Sequence, residues 1–110
     1  MLRYLSDQGC HGFLVDGTTL LTMVQDERVR FEDTSRGLLS VFAQGGGAEQ
    51  VTIRNLHYTL ENGSMSNRYP LGVSNEFIGE EACIEVRDGA LLLVWEHEKS
   101  DFKMVRFEAL

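Results

Sequence analysis

Cysteine is scarce in this 110-residue chain, which contains only Cys10 and Cys83. Neither residue belongs to a Cys-x-x-Cys motif, so the sequence predicts neither a disulfide framework nor a zinc ligand set. A protein without disulfides is expected in a reducing compartment, and the cytoplasm is the simplest location.

Basic residues are few as well. Ten Lys and Arg stand against seventeen Asp and Glu, which gives a formal net charge of −7. This charge repels phosphate backbones and anionic lipid surfaces, so neither nucleic acid nor a membrane is expected as a partner. The same field would favour a small cationic ligand, although solubility is the more ordinary explanation of such a charge.

Long apolar runs are also missing. The longest, ALLLVW at residues 90–95, is far shorter than the roughly 18 residues that a membrane-spanning helix needs. The N-terminus does not show the basic-then-apolar pattern of a signal peptide. We therefore expect a soluble, cytoplasmic protein.

Short segments with the two-residue period of β-strands dominate the chain. In residues 27–33, Val29 and Phe31 are expected to face inward while Arg28 and Arg30 face water. Similar segments occupy residues 18–24, 37–43, 50–56, 56–60, 82–87, 90–96 and 103–109. With turn residues between them, they predict an all-β fold, an antiparallel sandwich of two sheets with about eight to ten short strands.

Two turns are predicted to close hairpins. Gln25–Asp26 and Asp88–Gly89 each separate two strand-like segments, and the Asp-Gly pair favours a type I′ turn. A further break is predicted at the Glu-Asn-Gly sequence of residues 61–63.

Two segments indicate their own position in a sheet. Residues 90–95 are apolar on both faces, which predicts a central strand covered from two sides. Residues 103–109 are predicted as an edge strand, because Lys103 and Arg106 would discourage pairing with another edge.

The beginning of the chain has a different pattern. Residues 2–8 are predicted to form a helix that ends at Gly9, and residues 12–17 a short strand closed by a turn. We therefore predict that residues 1–17 are the end of an α/β domain and a connection, and that residues 18–110 form the sandwich domain. Since such a helix needs another element to cover its apolar face, the chain is expected to be the C-terminal portion of a longer protein.

Several groups that could carry chemistry have simpler explanations. The glycine-rich residues 44–50 precede a strand instead of the helix that a phosphate loop requires. Side chains adjacent in an extended segment diverge, so neighbouring residues make poor metal sites or catalytic pairs. This applies to three sets: Glu96, His97 and Glu98; Cys10 and His11; Glu80 and Glu81. No catalytic constellation is predicted.

Ser74 and Asn75 form a polar pair directly after the strand-like residues Leu71 and Val73. Buried polar side chains cost about 1–3 kcal/mol each when unpaired, so these two must cap local backbone or hold a ligand. The pattern alone favours capping.

Residues 36–96 resemble the thiamine-binding C-terminal domain of thiamine pyrophosphokinase. The matching pieces come in the order of that family: GLLSVF at 37–42, VTIRNLHYTLEN at 51–62, LGVSNE at 71–76 and LLLVWE at 91–96. Residues 2–24 resemble the connection that leads from the nucleotide-binding domain into the sandwich. The likeness therefore covers nearly the whole chain.

The resemblance implies a jelly-roll sandwich within a two-domain, homodimeric kinase. That family transfers pyrophosphate from ATP to the hydroxyl of thiamine with Mg²⁺, giving thiamine diphosphate and AMP. The ATP-binding domain has no counterpart in this sequence, so the resemblance implies a chain that recognises thiamine and is inactive alone. The rival hypothesis is a non-catalytic sandwich that mediates interactions and binds no small ligand.

Three positions match the family's thiamine-binding residues. Ser74 and Asn75 match the Ser-Asn pair at the aminopyrimidine, whose ring nitrogens accept and whose amino group donates hydrogen bonds. Tyr58 matches an aromatic position beside the bound thiamine, where a ring could stack on the pyrimidine or attract the cationic thiazolium. Without the resemblance, Tyr58 would be predicted as a core residue.

Two departures from the family pattern concern the rim of the pocket. Thr59 stands where many members have Pro, and the NRYP sequence of residues 67–70 replaces small residues. Pro70 fixes its own φ and favours an extended Tyr69. Contacts around Arg68 to Pro70 are therefore expected to differ from those of the family.

Overall fold

The computed structural model describes residues 11–44, 47–65 and 75–110. Within these ranges the chain folds into two five-stranded antiparallel sheets that pack as a sandwich, which confirms the predicted all-β class.

Sheet A has the order β1-β2-β9-β4-β7, with β1 at Phe13–Asp16, β2 at Thr19–Gln25, β9 at Ala90–Glu96, β4 at Leu38–Ala43 and β7 at Asn75–Glu76. Sheet B has the order β10-β3-β8-β5-β6, with β10 at Val105–Ala109, β3 at Glu27–Phe31, β8 at Ala82–Asp88, β5 at Ala48–Arg54 and β6 at Leu60–Met65. A 3₁₀ turn at Phe102–Met104 precedes β10, and the predicted helix at 2–8 lies outside the described residues.

Alternating apolar side chains from both sheets fill the space between them. Val29 and Phe31 of β3 are fully buried, as their alternation predicts. The ring of Phe31 packs edge-on against Trp95 at a centroid distance of 5.7 Å. Trp95 is buried too, and its indole N–H donates to the carbonyl oxygen of Arg36 at 2.8 Å. The single tryptophan thus ties sheet A to the aromatic centre of the core without leaving its polar group unpaired.

Neither predicted hairpin forms. The turn at Gln25–Asp26 joins β2 of sheet A to β3 of sheet B, and the turn at Asp88–Gly89 joins β8 of sheet B to β9 of sheet A. Because β2 pairs with β9 and β3 with β8, the two crossings lie side by side. The N–H of Asp26 donates to the carbonyl oxygen of Gly89 at 3.3 Å, and the Gly89 N–H donates to Oδ1 of Asp26 at 3.1 Å.

Backbone geometry explains why the hairpin predicted at Asp88–Gly89 does not form. A type I′ hairpin needs positive φ at both central residues, but Gly89 alone of the Asp88–Gly89 pair has it, with a φ of 118°. Both flanking strands also carry apolar residues that reach the same core, which a crossing between facing sheets satisfies. The turn residues correctly predicted where the chain bends, but they did not predict which strand pairs with which.

The region after β5 also differs from the prediction. The strand predicted at residues 56–60 does not form: Leu56 makes only an isolated bridge with Phe77, and Leu60 is the first residue of β6. The Glu-Asn-Gly sequence at 61–63 is not a break either, because β6 runs through it. The β5–β6 pairing contains register shifts, and Asn62 has a positive φ in this part of β6. The N–H of Asn62 donates to the Thr52 hydroxyl at 3.1 Å. A β-bulge therefore accommodates residues that usually end a strand.

The predicted positions of the last strands are confirmed. Strand β9 is central in sheet A, and β10 is an edge of sheet B that carries Arg106. Lys103 belongs to the 3₁₀ turn before that strand. On β9 the residues facing the core are buried, whereas Leu92 and Val94 on the outer side are only half-buried.

Strand β1 confirms the short strand predicted at residues 12–17, and it pairs with β2 in sheet A. The strand within the predicted connection is thus part of a sandwich sheet. The predicted domain boundary between residues 17 and 18 stays a prediction. No helix in the described ranges has the length and apolar character to cross a membrane.

Candidate functional site

The candidate site lies where the segment after β5 meets β7. Leu56 bridges to Phe77, and the N–H of His57 donates to the carbonyl oxygen of Glu76 at 2.9 Å. Strand β7 itself pairs with β4 at the edge of sheet A, with Asn75 opposite Leu39. These contacts fasten the end of a sheet B strand to an edge of sheet A, so the site spans both sheets.

Asn75 is fully buried, and its carboxamide holds the main chain of Tyr58. The Asn75 side-chain oxygen accepts from the N–H of Tyr58 at 2.8 Å and from the N–H of Glu76 at 2.9 Å. Its nitrogen donates to the carbonyl oxygen of Tyr58 at 2.7 Å. A carboxamide carries its acceptor oxygen and its donor nitrogen on separate atoms, so it can hold the N–H and the carbonyl of one residue at the same time. In this structure Asn75 is a positioning residue, and its contact with an aminopyrimidine stays a prediction.

The aromatic ring of Tyr58 projects away from this clamp. Its side chain is 61% exposed, so the core position expected from the pattern alone is wrong. The ring of His57 stands nearly perpendicular to it, at a centroid distance of 4.5 Å and an angle of 87°. One phenol ring, fixed at its main chain and open to solvent, is thus available to a flat ligand.

The surroundings of Tyr58 show what sequence reasoning omitted. Glu76, the last residue of LGVSNE, is exposed on β7 next to the clamp, and His57 supports the Tyr58 ring. Phe77 anchors this segment by packing against Phe31 at 5.4 Å and Trp95 at 5.3 Å between centroids. The alternation of buried Asn75 and Phe77 with exposed Glu76 is the two-residue period of a strand, and this period could have predicted that the segment packs on the core. Ser74 lies outside the described residues.

Three of the other sequence candidates have structural partners. His97 accepts from the N–H of Lys99 at 3.1 Å, and His11 lies 2.7 Å from a carboxylate oxygen of Glu27. Glu81 pairs with arginines of sheet B, while Cys10 is outside the described residues. Across the part of the chain that the structure describes, no three His, Cys, Asp or Glu side chains could hold a metal ion together.

Comparison with known structures supports this fold. A thiamine pyrophosphokinase from Bacillus subtilis superposes with a TM-score of 0.79 at 17% identity, covering 88% of this chain and 46% of that protein. The enzyme from Geobacillus thermodenitrificans gives 0.74 at 21% identity, covering 90% and 46%. A thiamin pyrophosphokinase family protein from Enterococcus faecalis gives 0.64 at 22% identity, covering 79% and 40%. This chain therefore spans less than half the length of each.

Sequence comparison identifies the family. No curated protein sequence matches the chain significantly. The family model described as "Thiamin pyrophosphokinase, vitamin B1 binding domain" matches residues 26–91. That range is more than half of the chain and contains both Tyr58 and Asn75. The chain belongs to the family of thiamin pyrophosphokinase vitamin B1 binding domains.

Proposed function

We propose that this chain recognises thiamine as the substrate of a thiamine pyrophosphokinase. In this proposal the enzyme transfers pyrophosphate from ATP to the thiamine hydroxyl and releases thiamine diphosphate and AMP. The family match, which includes the segment of the clamp, supports the assignment. The chain itself contributes binding and orientation of the substrate.

The exposed ring of Tyr58, carried on a main chain that Asn75 holds in place, is the observation that carries the proposal. Ordering a flexible segment on binding costs conformational entropy. Here two hydrogen bonds with the Asn75 carboxamide already fix the main chain of Tyr58. A pyrimidine can then stack on the phenol, or the thiazolium can lie over its negative face.

Charge favours the same ligand. Thiamine carries a permanent positive charge, and the chain has a formal net charge of −7. The exposed carboxylate of Glu76 stands beside the clamp. An acidic surface of this kind raises the local concentration of a cation and lowers that of anionic competitors. Ser74, adjacent to the clamp in sequence, remains the proposed direct partner of the aminopyrimidine.

The proposal assigns ATP and Mg²⁺ to a nucleotide-binding domain outside this sequence. The described residues form no metal-binding group of three acidic, His or Cys side chains, so none of them is assigned to Mg²⁺ or to phosphate transfer. We expect the chain alone to bind thiamine without turning it over. The cytoplasm is the proposed location.

A titration of the 110-residue chain with thiamine tests the role of Tyr58. Tyr58→Leu is expected to weaken binding about tenfold or more, because it removes stacking and cation–π attraction while keeping an apolar side chain. Tyr58→Phe keeps the ring and should stay within a few-fold of the unmodified chain. Isothermal titration calorimetry measures all three.

Two results would argue against this proposal. Equal affinities for the leucine and phenylalanine variants would show that the ring does not contact thiamine. Binding that is absent from the unmodified chain, with its fold intact by circular dichroism, would favour the interaction module without a small ligand.

Homodimerisation is also part of the proposal, and the outer face of sheet A supports it. Cross-strand neighbours on this face are apolar: Leu14 lies opposite Leu21, Leu21 opposite Val94, and Leu92 opposite Met23 and Phe42. Leu14 and Leu38 are exposed there. At one end of this face a row of cross-strand neighbours carries Asp16, Glu96 and Glu76. Two acidic chains repel each other through most of their surfaces, but the apolar centre of this face lets two copies approach.

A further inference from the structure

The outer face of sheet B carries two rows of side chains that cross its strands. The first row alternates in charge and contains, in order, Glu108, Arg28, Glu85 and Thr52. The second row is basic apart from one thiol and contains Arg106, Arg30, Cys83 and Arg54. Like charges directly opposite one another destabilise a sheet. In the second row Arg106 lies directly opposite Arg30, so this pair needs a nearby carboxylate to offset its repulsion.

Glutamates at the margins hold the arginines of the second row in place. Glu81 lies 3.1 Å from Nη1 of Arg30 and 3.2 Å from Nη2 of Arg106. Glu61 accepts from Nε and Nη2 of Arg54 at 2.9 and 3.1 Å. These pairs fix the direction of each guanidinium but use only part of its five N–H donors.

A cavity of about 260 Å³ opens between these arginines, above the small side chain of Cys83. Arg28, Arg30 and Arg54 line it, and Glu85 is its one acidic group among the described residues. Each of these arginines is also paired with a carboxylate: Glu108 lies 2.7 Å from Nε of Arg30 and 3.5 Å from Nη1 of Arg28. The cavity therefore offers an anion several guanidinium N–H donors held in place by glutamates, and not an excess of positive charge.

The neutral groups of the cavity are also suited to an anion. The Thr52 hydroxyl oxygen already accepts from the N–H of Asn62 at 3.1 Å, so its proton is free to be donated into the cavity. Cys83 forms the floor and is half-buried. Burial raises the pKa of the Cys83 thiol, against the lowering effect of Arg30 and Arg28, and this favours a neutral thiol that does not repel an anion.

We propose that this cavity binds one phosphate-sized oxyanion between Arg30 and Arg54, with Arg28 and the Thr52 hydroxyl as further donors. Planar guanidinium groups match the oxygens of phosphate and form charge-assisted hydrogen bonds with them. The site lies on the outer face of sheet B and does not depend on thiamine recognition at the Tyr58 clamp. Its ligand class is inorganic phosphate or the terminal phosphate of a small metabolite.

Arg54→Gln and Arg106→Gln are matched variants for the test. Both arginines lie in the same row, their side chains are 60% and 62% exposed, and each pairs with a glutamate. Only Arg54 lines the cavity. Because exposed ion pairs contribute little to stability, both variants are expected to fold.

Titration with inorganic phosphate, at an ionic strength kept constant with chloride, measures the site. The unmodified chain should bind phosphate saturably by calorimetry, Arg54→Gln should bind about tenfold more weakly, and Arg106→Gln should stay within about twofold. Equal weakening of phosphate binding in both variants would show that phosphate is held by general electrostatic attraction and not by the cavity, and this would overturn the proposal. A lack of saturable binding by the unmodified chain would overturn it as well.

Alkylation of Cys83 gives an independent readout. In a Cys10→Ser background Cys83 is the one remaining thiol, and bound phosphate should slow its reaction with iodoacetamide by covering it and disfavouring the thiolate. Phosphate should give no protection after Arg54→Gln. Protection by AMP at concentrations similar to those of phosphate would identify a phosphate monoester as ligand; protection by phosphate alone would identify the free ion. Cys83 labelling that neither probe slows would contradict the site.

Discussion

Replacing Asn75 with alanine is expected to lower the free energy of unfolding by roughly 2–4 kcal/mol. The carboxamide of this buried residue makes hydrogen bonds to the N–H of Tyr58, the carbonyl of Tyr58 and the N–H of Glu76. Alanine would leave these main-chain groups without their partner inside the protein. Denaturation by urea, followed by circular dichroism, measures the loss.

Asn75→Asp separates the accepting and donating roles of the carboxamide. Its carboxylate can still accept from both N–H groups, but it cannot donate to the carbonyl of Tyr58, and it places a charge in a buried position. We therefore expect a loss of stability in this variant as well. Glu76→Ala, at the exposed neighbour on the same strand, should change stability by less than about 0.5 kcal/mol. A stability close to that of the unmodified chain for Asn75→Ala would contradict the clamp.

Replacing Leu92 with lysine is expected to abolish the proposed homodimer at micromolar concentrations. Leu92 lies at the centre of the outer face of sheet A, opposite Met23 and Phe42. A lysine there would bury a charge in the interface and should raise the dissociation constant at least about a hundredfold. The substitution adds a positive charge to an acidic chain, so increased net repulsion cannot explain the loss. Sedimentation velocity reports the association state.

Thr34→Lys is the matched control for this prediction. Thr34 is exposed in the turn between β3 and β4 and belongs to no strand of sheet A, and its replacement adds the same charge. The control variant should remain dimeric. An unmodified chain that is monomeric at all accessible concentrations, or a Leu92→Lys chain that still dimerises, would contradict the proposal.

The sequence predicted the sheet content and the core of this protein well. Strict alternation at Val29 and Phe31 assigns inner and outer faces without knowledge of strand pairing, because the period of a strand is two. The central position of β9 also followed from its composition. The local alternation of apolar and polar residues was enough to predict strands and their buried faces, because these depend only on which side chains are buried.

The predicted pairing of neighbouring strands was less accurate. The turns at Asp26 and Gly89 each join strands of different sheets, and a turn sequence describes only a few residues. Which sheet receives the next strand depends on how the two apolar faces close over one core, and this is a long-range property. The bulge at Asn62 escaped prediction for a similar reason, since its partner is Thr52 of the preceding strand.

The candidate site was predictable in part. The resemblance pointed to Asn75 and Tyr58, and the structure brings them together through hydrogen bonds across a separation of 17 residues. Periodicity alone would have buried Tyr58, because it cannot show that residues 57 and 58 leave the sheet. The supporting ring of His57 had no signal in the sequence.

The most direct test is to map thiamine binding by NMR on the uniformly ¹⁵N-labelled chain. If the clamp presents Tyr58 to the ligand, the amide signals of Tyr58, Glu76 and their neighbours should shift saturably, while those of Arg30, Cys83 and Arg54 on sheet B stay in place. Saturable shifts confined to sheet B, or unmoved signals of residues 57, 58, 75 and 76 at millimolar thiamine, would contradict the assignment of thiamine to this site.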